Sequence, residues 1–341
     1  MTPIQMFMAA ARFEKTEHAP VAGAITEFYM STITPGLEDM SDPSQQIRML
    51  ERADELFPNI PIIFVADPTP SLFPALIRNL SEAADGGPLS ADVFRRTKLP
   101  DPGSTLENLA RMDEISFISE HMPERLKEQY GYCRGLVRFE NPFDSLVEVV
   151  GSSDWFLKIK SDPGFIEAAM ELFTEASVAG AKWLAEKIGA PDRVILAEDF
   201  PGMISSAAFS RFVAPFHRRI FDTFPNALKI LHNDSRTTHL LDVLPSCGME
   251  LFHFGYENDI RQTKEAMKGR VALMGNISPM GVLARGSDEE VRRACLEVLK
   301  AGAPGGGFIF ATGGEVNPGT DPARVNLMLH LAKMFNADSM I

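Results

Sequence analysis

Val271-Ala272-Leu273-Met274-Gly275-Asn276, then Ser287-Asp288-Glu289-Glu290 opening a stretch that runs to Ala301, then Gly307-Phe308-Ile309-Phe310-Ala311, spell one strand–helix–strand unit. The two apolar runs are β-rich and strand-sized. Ser287 is placed to cap a helix over Asp288 to Ala301, Glu289 and Glu290 complement its dipole, and Gly302 stops it. The same alternation holds further out. Arg193-Val194-Ile195-Leu196-Ala197, Ala227-Leu228-Lys229-Ile230-Leu231 and Met249-Glu250-Leu251-Phe252 read as strands, with helices expected over Ser206 to Phe224, Thr237 to Leu244 and Ile260 to Met267. Upstream, 21–26 and 60–66 read as strands ending near Glu27 and Asp67, and 135–139 as another. Eight parallel units close most naturally into a barrel, whereas a doubly wound sheet usually has five or six strands. The predicted fold is therefore α/β, a single (β/α)8 TIM barrel over residues 1–341 as one domain. Residues 84–104, rich in Gly, Pro and Asp, are expected as a surface insertion.

Composition narrows the function classes. At 45% hydrophobic and 23% charged, the 341-residue chain has material for one large core. A formal net charge of -13, without Lys/Arg stripes, argues against nucleic acid and anionic membrane surfaces as partners. The start, Met1 to Met6, lacks a basic-then-apolar signal, and no apolar run approaches the roughly 18 residues that span a bilayer, so a cytoplasmic location is expected. Cys133, Cys247 and Cys295 are an odd number at wide spacing and read as buried thiols.

In such barrels the chemistry sits on loops after the C-terminal strand ends. Four polar clusters occupy those places: Glu198-Asp199, His232-Asn233-Asp234, Gly275-Asn276 and Thr312-Gly313-Gly314-Glu315. His232 and Asp234 lie two apart, so in extended backbone both side chains leave on one side, a spacing that suits two ligands of one metal ion. Glu315 and Glu198 are candidate third donors. The plainer alternative is a packed His232 and a helix-capping Asp234. Adjacent carboxylates at 198 and 199 can serve as acid, base or ligand, or as caps. Gly313-Gly314 lets backbone approach a ligand closely, while Gly305-Gly306-Gly307 precedes a strand and is no phosphate loop. His253 also holds a strand-end position; His217, His239 and His330 read as packing residues.

Gly275-Asn276-Ile277-Ser278-Pro279, the run Ala301 to Ile309, and Thr312-Gly313-Gly314-Glu315-Val316, with weaker similarity over Gly135 to Pro163, resemble the uroporphyrinogen decarboxylase superfamily, particularly its branch of corrinoid-dependent methyltransferases. The clearest likeness covers about Asp199 to Ala332. True decarboxylases carry a Met-Arg-Gln-Ala-Gly-Arg-Tyr segment whose arginines bind substrate carboxylates; here Ala9-Ala10-Ala11-Arg12-Phe13-Glu14 stands instead, which leaves the methyltransferase branch. Its thiol methyltransferases hold zinc with a His-x-Cys motif and a later Cys in a glycine turn. The histidine matches His232, but Asp234 and Gly314 replace the thiolates. Oxygen and imidazole ligands leave the ion a harder Lewis acid, suited to an ether oxygen.

The resemblance thus implies a methyltransferase component of O-demethylase type, moving a methyl group from a small donor such as a methoxylated aromatic to the cobalt of a partner corrinoid protein. Together with the strand-end reading it leads to His232, Asp234 and Glu315 holding zinc or, failing that, polarising the donor directly, and to catalytic roles for Glu198, Asp199, His232 and Asn276. Substrate would be met by Glu27, Asp67, Phe200, His253, Phe254, Gly313 and Gly314. Tetrapyrrole decarboxylation, methyl transfer from a methylcorrinoid to a thiol or pterin, and ligand binding without turnover are the competing readings.

Overall fold

A computed structural model describes residues 1–23, 25–37, 39, 41–61 and 67–335, with backbone alone at Glu27 and Phe28. Six parallel strands lie in chain order in one sheet: β1 (Leu136–Arg138), β2 (Arg193–Ala197), β3 (Leu228–Asn233), β4 (Leu251–Phe254), β5 (Ala272–Ile277) and β6 (Phe308–Thr312). Parallel neighbours require a crossover, and helices or helical turns supply it at each step. Backbone hydrogen bonds extend both edges. Beside β6, Phe310 N donates to Pro20 O and Ala22 N to Phe310 O, and Gly23 N donates to Pro61 O; beside β1, Arg138 N donates to Pro68 O. Residues 20–23, at the start of the first expected strand, thus lie beside β6, and Pro61 and Pro68, on either side of 62–66, meet Gly23 and β1. Residues 62–66, the greater part of the second, lie outside the described residues. In the first, Val21 makes a single parallel bridge to Phe310, and the Thr26 hydroxyl caps the helix Glu27–Ile33 by accepting from Tyr29 N.

Strand pleating sorts the core into two layers. Leu136, Ile195, Ile230, Leu251, Ala272 and Ile309 belong to an inner cluster, completed by Phe7, Ala10 and Ala11 of the helix Pro3–Ala11. Their alternates, among them Val194, Leu196, Leu231, Phe252 and Leu273, join a larger outer cluster with the helices. That helix over the inner cluster is held by a capping box, Thr2 with Gln5, and by Pro3 in its first turn.

Three expected elements differ. The helix over Ser206 to Phe224 is two helices, Ser206–Phe212 and Ala214–Phe221, broken at Val213 because Pro215 brings no N–H to a continuous ladder. Over Thr237 to Leu244 there are short 3-10 turns, Thr238–Leu240 and Leu244–Cys247. Residues 84–104 contain the helix Ala91–Arg96, whose Val93 and Phe94 are buried, with Phe94 edge-on to Phe165 at 5.2 Å. The capping box Ser287–Glu290 opens the helix Asp288–Gly302. Among the described residues no helix is long and apolar enough to cross a membrane.

Candidate active site

The pleat decides which strand-end side chains meet. Ile195 faces inward, so Asp199 follows it in, while Glu198 turns outward with Val194 and Leu196. Ile230 sends His232 and Asp234 inward, and Leu251 does the same for His253. Register aligns Ala197 with His232 and His232 with His253. Asp199, His232 and Asp234 therefore converge, each offering one ligand atom within 4.8 Å of the others.

His232 and His253 form a pair. Their Nδ1 atoms are 2.7 Å apart, and His253 Nε2 donates to Thr312 O at 2.9 Å. Both imidazoles are held down to a pKa of about 3, by burial first, and then by Arg138 for His232 and by His232 for His253. Both rings are thus neutral at physiological pH. His232 Nε2 lies 3.9 Å from Asp199 Oδ1.

The carboxylates show the opposite shift. Burial raises the pKa of both Asp199 and Asp234; at Asp199, hydrogen bonds from Asp234, whose backbone N–H donates to Asp199 Oδ1 at 2.8 Å, oppose it and the charges of Glu198 and Glu315 add to it, while at Asp234 the Asp199 charge adds to it. Behind them Asp144, in the first turn of the helix Pro142–Val150, accepts from Asp199 N (2.8 Å) and Phe200 N (3.0 Å). Its pKa is also raised, by burial and then by Glu198. Asn233 Nδ2 donates to Glu198 O (2.6 Å), and Ser235 Oγ donates to Asn233 Oδ1 (2.6 Å), tying the β2 and β3 loops together.

An imidazole nitrogen and two carboxylates are ordinary zinc donors. Tetrahedral ligands on bonds near 2.1 Å stand about 3.4 Å apart, against the 4.8 Å within which these three ligand atoms lie. A cation would offset the burial and the neighbouring negative charge that raise their pKa values. Gly314, at φ +127°, would place a Cβ 3.2 Å from Asp234 Oδ2, so its missing side chain leaves the space beside that carboxylate open. The residues present fit a divalent ion.

The remaining candidates fall as follows. Glu198 is 1% exposed and does not join the cluster; Oε1 accepts from Phe143 N (2.5 Å) and Oε2 from His217 Nε2 (2.5 Å). Glu315 is exposed and senses Asp234 and Arg138 electrostatically, without lying among the three convergent ligand atoms. Asn276 donates to Asn258 O (2.8 Å) and Gly255 O (3.3 Å), bracing the β4 and β5 ends. Phe254 is fully buried in the outer layer, 5.9 Å from the Phe252 ring; Phe200 is half-buried against Phe156 at 6.4 Å. Asp67 is buried with Tyr130 and Tyr132 around an interior cavity, and its carbonyl accepts from Arg111 Nη2. Gly313 is required by contact, since a Cβ there would meet Tyr256 N at 2.4 Å. The side chain of Glu27 lies outside the described residues. Sequence reasoning did not single out Asp144 or Arg138. Arg138 shares the inward parity of Leu136, so alternation along β1 could have found it; Asp144 carries no such signal.

The profile of the family described as uroporphyrinogen decarboxylase (URO-D) matches residues 101–335. The chain belongs to this URO-D family. It is 23% identical over 194 residues to the methylcobamide:CoM methyltransferase MtbA of Methanosarcina acetivorans, covering 55% of this chain and 57% of that protein. It is 25% identical over 252 residues to the uroporphyrinogen decarboxylase of Thioalkalivibrio sulfidiphilus, covering 69% and 66%. In each case the chain spans less than two thirds of the relative's length. The URO-D fold extends further: a solved methyltransferase from Methanosarcina mazei superposes with a TM-score of 0.70 over 97% of this chain and 98% of that one, at 17% identity.

Proposed function

We propose that this URO-D family member is a methyltransferase component, acting in the cytoplasm as a single domain, that moves a methyl group from a small methylated donor to the cobalt of a separate corrinoid protein. The observation that carries this reading is the inward-facing set Asp199, His232 and Asp234. His232 and Asp234 stand where the resemblance puts two of a thiol methyltransferase's zinc ligands, and Asp199 converges on them as a third donor, position 314 being glycine. The likeness to a methylcobamide methyltransferase supports the corrinoid as partner. The donor class we favour is a methoxylated aromatic, because phenolate is a poor leaving group unless its oxygen is activated.

His232, Asp199 and Asp234 would hold the zinc, which supplies Lewis acidity at the donor oxygen. The chain's own groups do the rest. His253 and Asp144 hold His232 and the Asp199 loop in place. Phe200, half-buried beside Phe156, offers an apolar wall for an aromatic donor.

Elemental analysis of protein purified without chelators is expected to find about one zinc per chain, lost in His232→Ala; a metal-free wild type contradicts the ion. Tetrapyrrole decarboxylation is the second reading, favoured by the 25% identity to a decarboxylase. It requires coproporphyrinogen to appear from uroporphyrinogen.

A further inference from the structure

We infer that His253 is a positioning residue that locks the tautomer of His232, keeping its Nε2 unprotonated and aimed at the carboxylate pair. This rests on reading Asp199, His232 and Asp234 as a divalent-cation site, but it concerns the two imidazoles and not the ion.

A carbonyl oxygen has lone pairs and no proton, so the 2.9 Å contact between His253 Nε2 and Thr312 O requires the proton on Nε2. A neutral His253 then has a bare Nδ1. The 2.7 Å contact between the two Nδ1 atoms is a hydrogen bond only if His232 Nδ1 carries the proton. A neutral His232 so arranged has its lone pair on Nε2, the nitrogen 3.9 Å from Asp199 Oδ1. Proton positions therefore propagate from a β6 carbonyl, through β4, to the ligand nitrogen on β3. The fold builds this relay from strand register, which sets His253 beside His232.

A metal-bound histidine usually donates its second N–H to a carboxylate, a carbonyl or water, which fixes the ring and raises its basicity. Here the acceptor is a neutral imidazole. It fixes the tautomer as firmly while pushing less negative charge onto the ligand, in keeping with a harder ion.

The test uses 15N-histidine-labelled, metal-free protein and long-range 1H–15N correlation, with His232 assigned through His232→Gln. The expected spectrum shows His232 as the Nδ1–H tautomer and His253 as the Nε2–H tautomer. In His253→Leu, His232 redistributes toward Nε2–H, and zinc affinity falls by about 10- to 100-fold. In His253→Gln, whose carbonyl can accept from Nδ1–H, the tautomer and most of the affinity return, which a packing role alone would not produce. His232 as Nε2–H in the wild type, or an unchanged His232 tautomer in His253→Leu, overturns the lock. If His253→Leu does not fold, the wild-type and His253→Gln spectra decide. A wild type with the expected tautomers that takes up no zinc overturns the cation-site reading and leaves the lock standing.

Discussion

Asp199 and Glu198 are neighbours with opposite roles, and the pleat alone separates them. Asp199 follows Ile195 inward to the cluster, whereas Glu198 serves Phe143 N and His217. Under the zinc reading proposed above, Asp199→Asn keeps an acceptor for Asp234 N but removes a charged donor, so zinc affinity is expected to drop at least about tenfold, ~1.4 kcal/mol, by metal titration. Glu315→Gln, at an exposed carboxylate outside the convergent atoms, should leave it within about twofold, ~0.4 kcal/mol. At this scale the sequence was readable where polar residues follow an apolar strand: His232 and Asp234 were found by their spacing. The third member was assigned to Glu315 because strand-end position does not say which side chains point inward. Parity counted from Ile195 would have chosen Asp199.

The elements carrying these residues are braced by buried ionic contacts. Glu198 on the β2 end and His217 on the helix Ala214–Phe221 form a pair in which burial, the largest single effect, opposes the imidazolium, but the charge and hydrogen bond of Glu198 together with Cys247 outweigh it and raise the His217 pKa to about 9. The folded state thus holds this proton more tightly than the unfolded chain. The stabilisation is complete below pH 6.5 and is lost as pH rises through 9, on the order of 3 kcal/mol. His232 and His253 act in the opposite sense: with folded values near 3 they cost stability as pH falls from about 6.5 to 3. Thermal melts of wild type and Glu198→Gln across pH 6 to 10 check the first effect; the variant should lose most of the alkaline slope. His217→Ala, which leaves Glu198 charged and buried without its partner, is expected to cost about 3–5 kcal/mol in chemical denaturation. Strands from β2 onward were legible as short apolar runs. The break at Val213 was overlooked because the apolar pattern continues past Pro215, and the residue's missing N–H decides there, not periodicity.

Across the whole molecule the site depends on groups far apart in sequence. Asp144 supports the 199–200 loop, Arg138 bears on His232, and the helix Pro3–Ala11 completes the inner cluster through Phe7. Such contacts leave no local periodicity, so the sequence showed the strand ends but not what stands behind them. Phe7 is 2% exposed, and Phe7→Ala is expected to destabilise the fold by about 3–5 kcal/mol in denaturant titration, with the strand-end cluster left in place. Met203, Tyr256 and Met280 are exposed on the loops that follow β2, β4 and β5, around the same mouth. If a corrinoid protein docks there, Met203→Glu should raise the KM for that protein severalfold and leave zinc content unchanged. The most direct experiment incubates the zinc-loaded chain with a reduced corrinoid protein and a panel of methoxylated aromatics, following methylcobalt absorbance. Methylation by the wild type and its loss in His232→Ala is the expected result; no methylation from any donor, with coproporphyrinogen formed from uroporphyrinogen, would contradict it.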